Sequence, residues 1–276
     1  MPKLEYTLKN DLLFKMLFVK HPNLLRRLAA DILKIPVDSI SEFRIQNGEI
    51  PPEAIGDKFC RLDINMKVNG QLVDLEIQVG REAGYIERTM YYWAREFSTA
   101  LGSGEQYALL PRTVIVSIVD YAVFECEEYH SEYQLLEVTR HTPLSDKALY
   151  HYFELPKLPK AVDAGDDMQL WLRLFDAGTD EDLGKLEKTG VNIMQQAIDA
   201  YRSVTATDEF RTLERMRADA RHNEASALGA ARREEAERWK GAMDAAIADK
   251  DATIADMGAT IAELRAQLKA QLEKGR

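Results

Sequence analysis

The clearest order in the chain is a two-residue alternation across residues 61–80, RLDINMKVNGQLVDLEIQVG. Leu62, Ile64, Met66 and Val68 are spaced by two before Asn69-Gly70, and Val73, Leu75, Ile77 and Val79 are spaced by two after it. Asn-Gly between alternating runs is the strongest short signal for a β-hairpin, because the tight turn needs positive φ at both central residues. With Val68 opposite Gln71, these eight apolar side chains fall on one face, and that face belongs to a core. The other face carries Arg61, Asp63, Asn65 and Lys67 opposite Gln78, Glu76, Asp74 and Leu72.

Around the hairpin the spacing turns helical. Asn10 is a good N-cap for a helix carrying Phe14, Leu17 and Phe18, and Pro22 interrupts it. Leu24, Leu25, Leu28, Ile32 and Leu33 predict a second helix, and residues 46–56 read as a loop. Residues 82–101 form an amphipathic helix whose expected buried stripe is Ile86, Met90, Trp93, Phe97 and Leu101. The β-branched run TVIVSIV (113–119) predicts a strand covered on both faces, with shorter strands at 132–138 and 149–155. Helices, hairpin, helix, buried strand and further strands make a mixed α/β layer fold over about residues 1–165. MQLWLRLF, DEDLGKLE and NIMQQAIDAYRSV then form a helical segment, 166–207.

The tail, 208–276, is simpler. From residue 247, Ile247, Ile254, Ile261 and Leu268 recur every seven residues, with Met257 and Leu264 in the complementary row, which Lys250 and Gln271 interrupt at its ends. Ile at one seam position with Leu or Met at the other favours a parallel two-stranded coiled coil, and hence a homo-oligomer. The alternative is a single solvated helix, which leaves the seam unexplained.

Composition narrows the classes. The chain has 276 residues and a formal net charge of −10. The tail from Asp208 holds 13 basic and 14 acidic residues, leaving 23 basic against 32 acidic in residues 1–207. Such a surface does not hold DNA by bulk attraction, so any nucleic-acid role needs a local site, with cations offsetting the carboxylates. No stretch approaches the ~20 apolar residues of a membrane span. The first residues lack the apolar run of a signal peptide, and Cys60 and Cys126 are the only cysteines, so a reducing cytoplasm is expected.

The candidate chemistry lies on the polar hairpin face. The register sets Asp63 across from Glu76, and like charges directly opposed in a sheet repel. A divalent cation removes that penalty; Mg²⁺ in particular suits one or two carboxylates plus water and phosphate oxygens. Gln78 points its amide at the same cleft, and the Ile77 carbonyl is available as a further ligand. The plainer alternative is a solvated charged face softened by Arg61 and Lys67. On the next helix, Arg88, Tyr91 or Tyr92, and Arg95 fall away from the expected apolar stripe and could meet a phosphate, or simply pair with Glu87 and Glu96 in solvent. Asp11 is explained as a first-turn acid on the helix dipole. The five histidines, His21, His130, His141, His151 and His222, show no metal-ligand spacing. There is no phosphate-cradling glycine loop and no nucleophile elbow.

Asp, about a dozen residues, then Glu-x-Lys across a hairpin is the signature of PD-(D/E)XK nucleases, and here it reads Asp63…Glu76-x-Gln78. The chain resembles the Rpn-type recombination-promoting nucleases, or PD-(D/E)XK family transposases, in which Glu-x-Gln replaces Glu-x-Lys. The similarity runs through TLKNDLLFKMLF (7–18), GDKFCRLDI (56–64), DLEIQVG (74–80), ERTMYYWAREF (87–97), GEQYALLPRTVIVSIVDY (104–121) and YHYFELPKL (150–158). It implies a restriction-endonuclease-like mixed sheet flanked by helices. It implies Asp63 and Glu76 as ligands of a catalytic Mg²⁺ or Mn²⁺, Gln78 in the lysine's place, DNA as substrate, and a link to recombination, mobile elements or defence. Asp57 and Lys58 match the family pattern without an evident role, and related folds bring an acid such as Asp11 to the metal. The rival expectation is a catalytically weak or inactive nuclease fold kept as a DNA-binding or protein-interaction scaffold and assembled by the tail.

Overall fold

A computed structural model of the chain describes residues 2–46 and 64–274. It divides into two compact units, residues 1–211 and 212–276. The second is part of α7 (Asp208–Lys274), a single continuous helix of 67 residues.

The first unit begins with α1 (Asp11–Lys20), started by the Asn10 side chain, which accepts from the Leu13 N–H. Then α2 (Pro22–Leu33) follows, with Pro22 at the first helical position, where its missing N–H is not needed. Among the described residues the strands form one six-stranded sheet, β1 (Phe43–Ile45), β2 (Ile64–Val68), β3 (Gln71–Gln78), β4 (Thr113–Val119), β5 (His130–Gln134) and β6 (Ala148–Glu154), in the order β1-β2-β3-β4-β6-β5. Neighbours β3/β4 and β4/β6 run parallel; the outer pairs run antiparallel. The helix α3 (Tyr85–Thr99) makes the crossover between β3 and β4.

The hairpin register is the expected one: Ile64 pairs with Leu75, Asn65 with Asp74 and Val68 with Gln71. Asn69 and Gly70 both take positive φ, +47° and +79°. Asn69 also binds the chain entering β1: its Oδ1 accepts from the Ser41 and Glu42 N–H groups and its Nδ2 donates to the Ser39 carbonyl. The turn residue thereby stitches β1 to the hairpin. Strand β4 is buried along its whole length, as its apolar run requires.

Helices α4 (Asp167–Asp176) and α6 (Asn192–Ala206) pack with α1 and α2, and α5 (Asp180–Glu187) packs on α4 and α6. Phe14 and Phe18 of α1 meet Phe175 of α4 at ring-centroid distances of 5.6 and 6.1 Å, and the Trp171 indole donates to Asp31 of α2.

The structure departs from the sequence expectations at three places. The stripe assigned to the core on α3 is covered only in part: Ile86 and Met90 are exposed, Trp93, Phe97 and Leu101 are half-buried, and the fully buried residues are Tyr85, Thr89 and Tyr92. The helix is turned by about one residue, ~100°. The reason is that the sheet face it covers is polar, carrying Asp74 and Glu76, so the side chains that satisfy it are polar aromatics, a threonine and an arginine rather than Ile and Met. Val79 lies past the end of β3 and is exposed, not in the core. Finally, two histidines that sequence spacing left unrelated, His130 and His151, are brought together by the β5/β6 pairing, with 2.9 Å between ring nitrogens.

Candidate active site

Glu76 is the centre of the site. Strand alternation points Asp74, Glu76 and Gln78 to the α3 side of β3. The first two are buried, at 1% and 3% exposure, so this face concentrates carboxylate charge away from water. Asp74 pairs with Asn65 across the hairpin, and Glu76 pairs with Ser117 of β4.

Helix α3 brings the cation. Gly84 caps its start at φ +76°, a conformation that suits glycine, and its carbonyl accepts from the Arg88 N–H. One turn in, the Arg88 guanidinium has five neighbours. Its Nη2 donates to Gln78 Oε1 at 2.9 Å and lies 3.7 Å from Glu76 Oε2. Its Nη1 pairs with Glu82. Its Cζ sits 4.9 Å from the Tyr85 ring centre and 5.7 Å from that of Tyr92, within cation–π range of both. Burial works against the charge, but Glu76, Tyr92, Glu82 and Tyr85 outweigh it and hold the Arg88 pKa above its usual value.

Gln78 is held at both ends. Its Oε1 accepts from Arg88, and its Nε2 donates to the Gly80 carbonyl at 2.7 Å. Because a guanidinium only donates, the amide oxygen must face it. Tyr85 fills the floor beside Ser117. Burial first, with Glu76 and Tyr121 adding to it, pushes its phenol well above the ordinary range, so the hydroxyl stays a donor. Thr89 and Tyr152 share a 2.6 Å hydroxyl contact behind it.

The donor set suits a hard divalent ion. A buried Glu76 carboxylate and a second buried carboxylate two residues away are oxygen ligands of the kind Mg²⁺ or Mn²⁺ takes, while the Gln78 amide oxygen is taken up by Arg88.

Of the residues expected from sequence, Glu76, Gln78, Arg88 and Tyr92 are brought together. Asp63, Asp57 and Lys58 lie outside the described residues. Arg95 is two turns beyond Arg88 and exposed, as is Tyr91. Asp11 stands in the first turn of α1. The neighbouring Lys9 pairs with Asp120 at 2.8 Å, and the Asp120 N–H donates to the Gln78 carbonyl, so the start of α1 is tied to the strand end carrying Gln78. Tyr85, Ser117 and Asp74 were not singled out from sequence. Asp74 had a signal, an acid two residues from Glu76 on one strand face. Tyr85 and Ser117 had none, because their place depends on the rotation of α3 and the β3/β4 register.

No curated protein and no solved structure matches the chain. Residues 8–231, well over half of it, match the family model described as PD-(D/E)XK nuclease family transposase. With the mixed sheet, the hairpin and its Glu-x-Gln strand in place, the chain belongs to the PD-(D/E)XK nuclease family transposases.

Proposed function

We propose that this protein is a metal-dependent endodeoxyribonuclease, acting in the cytoplasm on DNA in recombination, mobile-element movement or defence. The observation that carries the reading is Arg88 held by Gln78 beside buried Glu76. Glu76, with Asp63 as the family resemblance implies, would hold Mg²⁺ or Mn²⁺. Such an ion, when bound, lowers the pKa of its water and offsets charge building on the phosphate. Arg88 supplies the positive charge that a lysine at position 78 would otherwise bring, and its fork matches phosphate oxygens. Gln78 orients that guanidinium, and the Tyr85 and Tyr92 rings keep it in place. The acidic surface agrees with binding that depends on this local site rather than on a basic patch.

A second reading, an inactive fold serving as a scaffold, draws on Gln78: both ends of its amide are engaged within the protein, which leaves it poorly placed to orient a water. In the nuclease reading the core at 1–165 would face DNA, followed by the helical segment at 166–207, and in either reading the tail from 247 would pair two copies.

The deciding experiment is plasmid nicking with and without Mg²⁺ or Mn²⁺, run beside Asp63→Ala and Glu76→Gln. Nicking that needs the ion and is lost in both variants supports the nuclease. Absence of nicking, or equal nicking in the variants, leaves the scaffold.

A further inference from the structure

On the sheet face opposite Glu76, strands β5 and β6 build a second group of ligand-type side chains. Glu132 and His151 are directly paired across the two strands, and His130 lies two residues along β5 on the same face. One ligand atom from each of the three lies within 4.8 Å of the other two. His130 Nε2 faces His151 Nδ1 at 2.9 Å, with the rings near coplanar at 17°.

We propose that His130, Glu132 and His151 form a binding site for a zinc-type transition-metal ion, separate from the nuclease site. Two imidazoles and one carboxylate are a ligand set for such an ion, leaving a fourth position for water or an exchangeable ligand. Ligands about 2.0–2.1 Å from a tetrahedral zinc stand about 3.3 Å from one another. The two ring nitrogens therefore need to part by only a few tenths of an ångström, while the Glu132 carboxylate swings inward.

His151 is 2% exposed, and its Nε2 has no hydrogen-bond partner. The nitrogen that would hold the ion is Nδ1, which faces His130, so Nε2 takes no part in the site. Lys34, at the end of α2, stands 3.2 Å from Glu132, a cation already placed where an ion would sit nearby. Lys34 is largely exposed and can leave at little cost. His130 and Lys34 also line an open cleft of about 510 Å³, with Asp31, Asp166 and Asp167 on its walls, so an ion has an acidic path of entry. One of the two facing nitrogens carries the N–H they share; ligation shifts that proton to the far nitrogen of its ring, and both imidazoles stay neutral.

The test is a zinc titration of untagged, chelator-stripped full-length protein by calorimetry, with cobalt absorption as a second readout. The wild type should take up one zinc ion that excess Mg²⁺ does not displace, and bound cobalt should show the intense visible bands of a tetrahedral site. Glu132→Gln and His130→Gln sit at the sheet edge and should fold, as circular dichroism will verify, while binding zinc about 100-fold more weakly. Glu76→Gln should bind zinc normally, so failure of this site is distinguishable from failure of the nuclease reading. Millimolar or weaker binding by the wild type, unchanged affinity in both edge variants, or loss of zinc in Glu76→Gln would each overturn the proposal.

Discussion

Arg88 of α3 donates to the side-chain oxygen of Gln78 on β3 across 2.9 Å, and the same Nη2 lies 3.7 Å from Glu76. A glutamine at this position is therefore coupled to a guanidinium from the next element, and in the proposed site the positive charge would come from the helix rather than from the strand. A lysine on the strand would reach the cleft alone; the Gln78–Arg88 pair reaches it only if α3 presents this face.

Arg88→Ala should expose that dependence. Removing the cation leaves Glu76 buried without its arginine neighbour, and breaking a buried pair costs about 3–5 kcal/mol when fully desolvated. Arg88 is about a quarter exposed, so a loss nearer ~2 kcal/mol is expected in urea unfolding without divalent ions. Mg²⁺ should raise the melting temperature more in this variant than in the wild type. Nicking should fall by about 10²-fold or more, with Arg88→Lys intermediate. A variant as stable and as active as the wild type would remove Arg88 from the site.

Gln78→Lys restores the superfamily's usual residue but sets two cations within hydrogen-bonding distance. Activity should stay at or below the wild-type rate, and stability should drop by about 1 kcal/mol through lost pairing and like-charge contact. A marked gain in nicking rate would show that Arg88 does not replace the lysine.

Thr89→Val keeps the shape of a fully buried side chain but removes the hydroxyl 2.6 Å from Tyr152. Leaving the Tyr152 hydroxyl without that partner should cost about 1–3 kcal/mol by chemical denaturation. A change below a few tenths would mean that α3 is not seated on β6 as described.

The His130–His151 pair should make the metal-free protein acid-sensitive. Burial first, then the His130 charge, lowers the His151 pKa from 6.5 to about 4; Lys34 and Arg112 act in the same direction and Glu132 against them. The unfolded chain therefore takes up this proton first, and stability falls as the pH drops from 6.5 toward 4. The loss is of the order of 2–3 kcal/mol at the lower end. Melting curves of chelator-treated wild type and His151→Gln should diverge in that window and run parallel above it. Parallel curves throughout would mean that the ring is not buried.

The tail makes its own prediction. Ile247, Ile254, Met257, Ile261, Leu264 and Leu268 are about half exposed or more on the isolated helix. If they form a seam, light scattering should give about twice the 31.4 kDa chain mass, and Ile254→Lys with Ile261→Lys should reduce it to one chain. An unchanged mass would discard the coiled coil.

Sequence alone determined the features governed by local chemistry. The Asn69-Gly70 turn and the two-residue alternation set the hairpin register, since a slip of one residue would turn every apolar side chain outward. Asn10 started α1, and the β-branched run made β4 a doubly covered strand. From the same alternation Glu76 and Gln78 could be assigned to one face. Tertiary structure decided the rest. Which side of α3 turns inward depended on the polar surface β3 offers as well as on the hydrophobicity of the helix itself, so Tyr85, Thr89 and Tyr92 went in while Ile86 and Met90 stayed out. His130 and His151, 21 residues apart, meet only because β5 pairs antiparallel with β6 in one register. Periodicity reports which side chains share a face; which face is covered, and by what, is settled only when the elements pack.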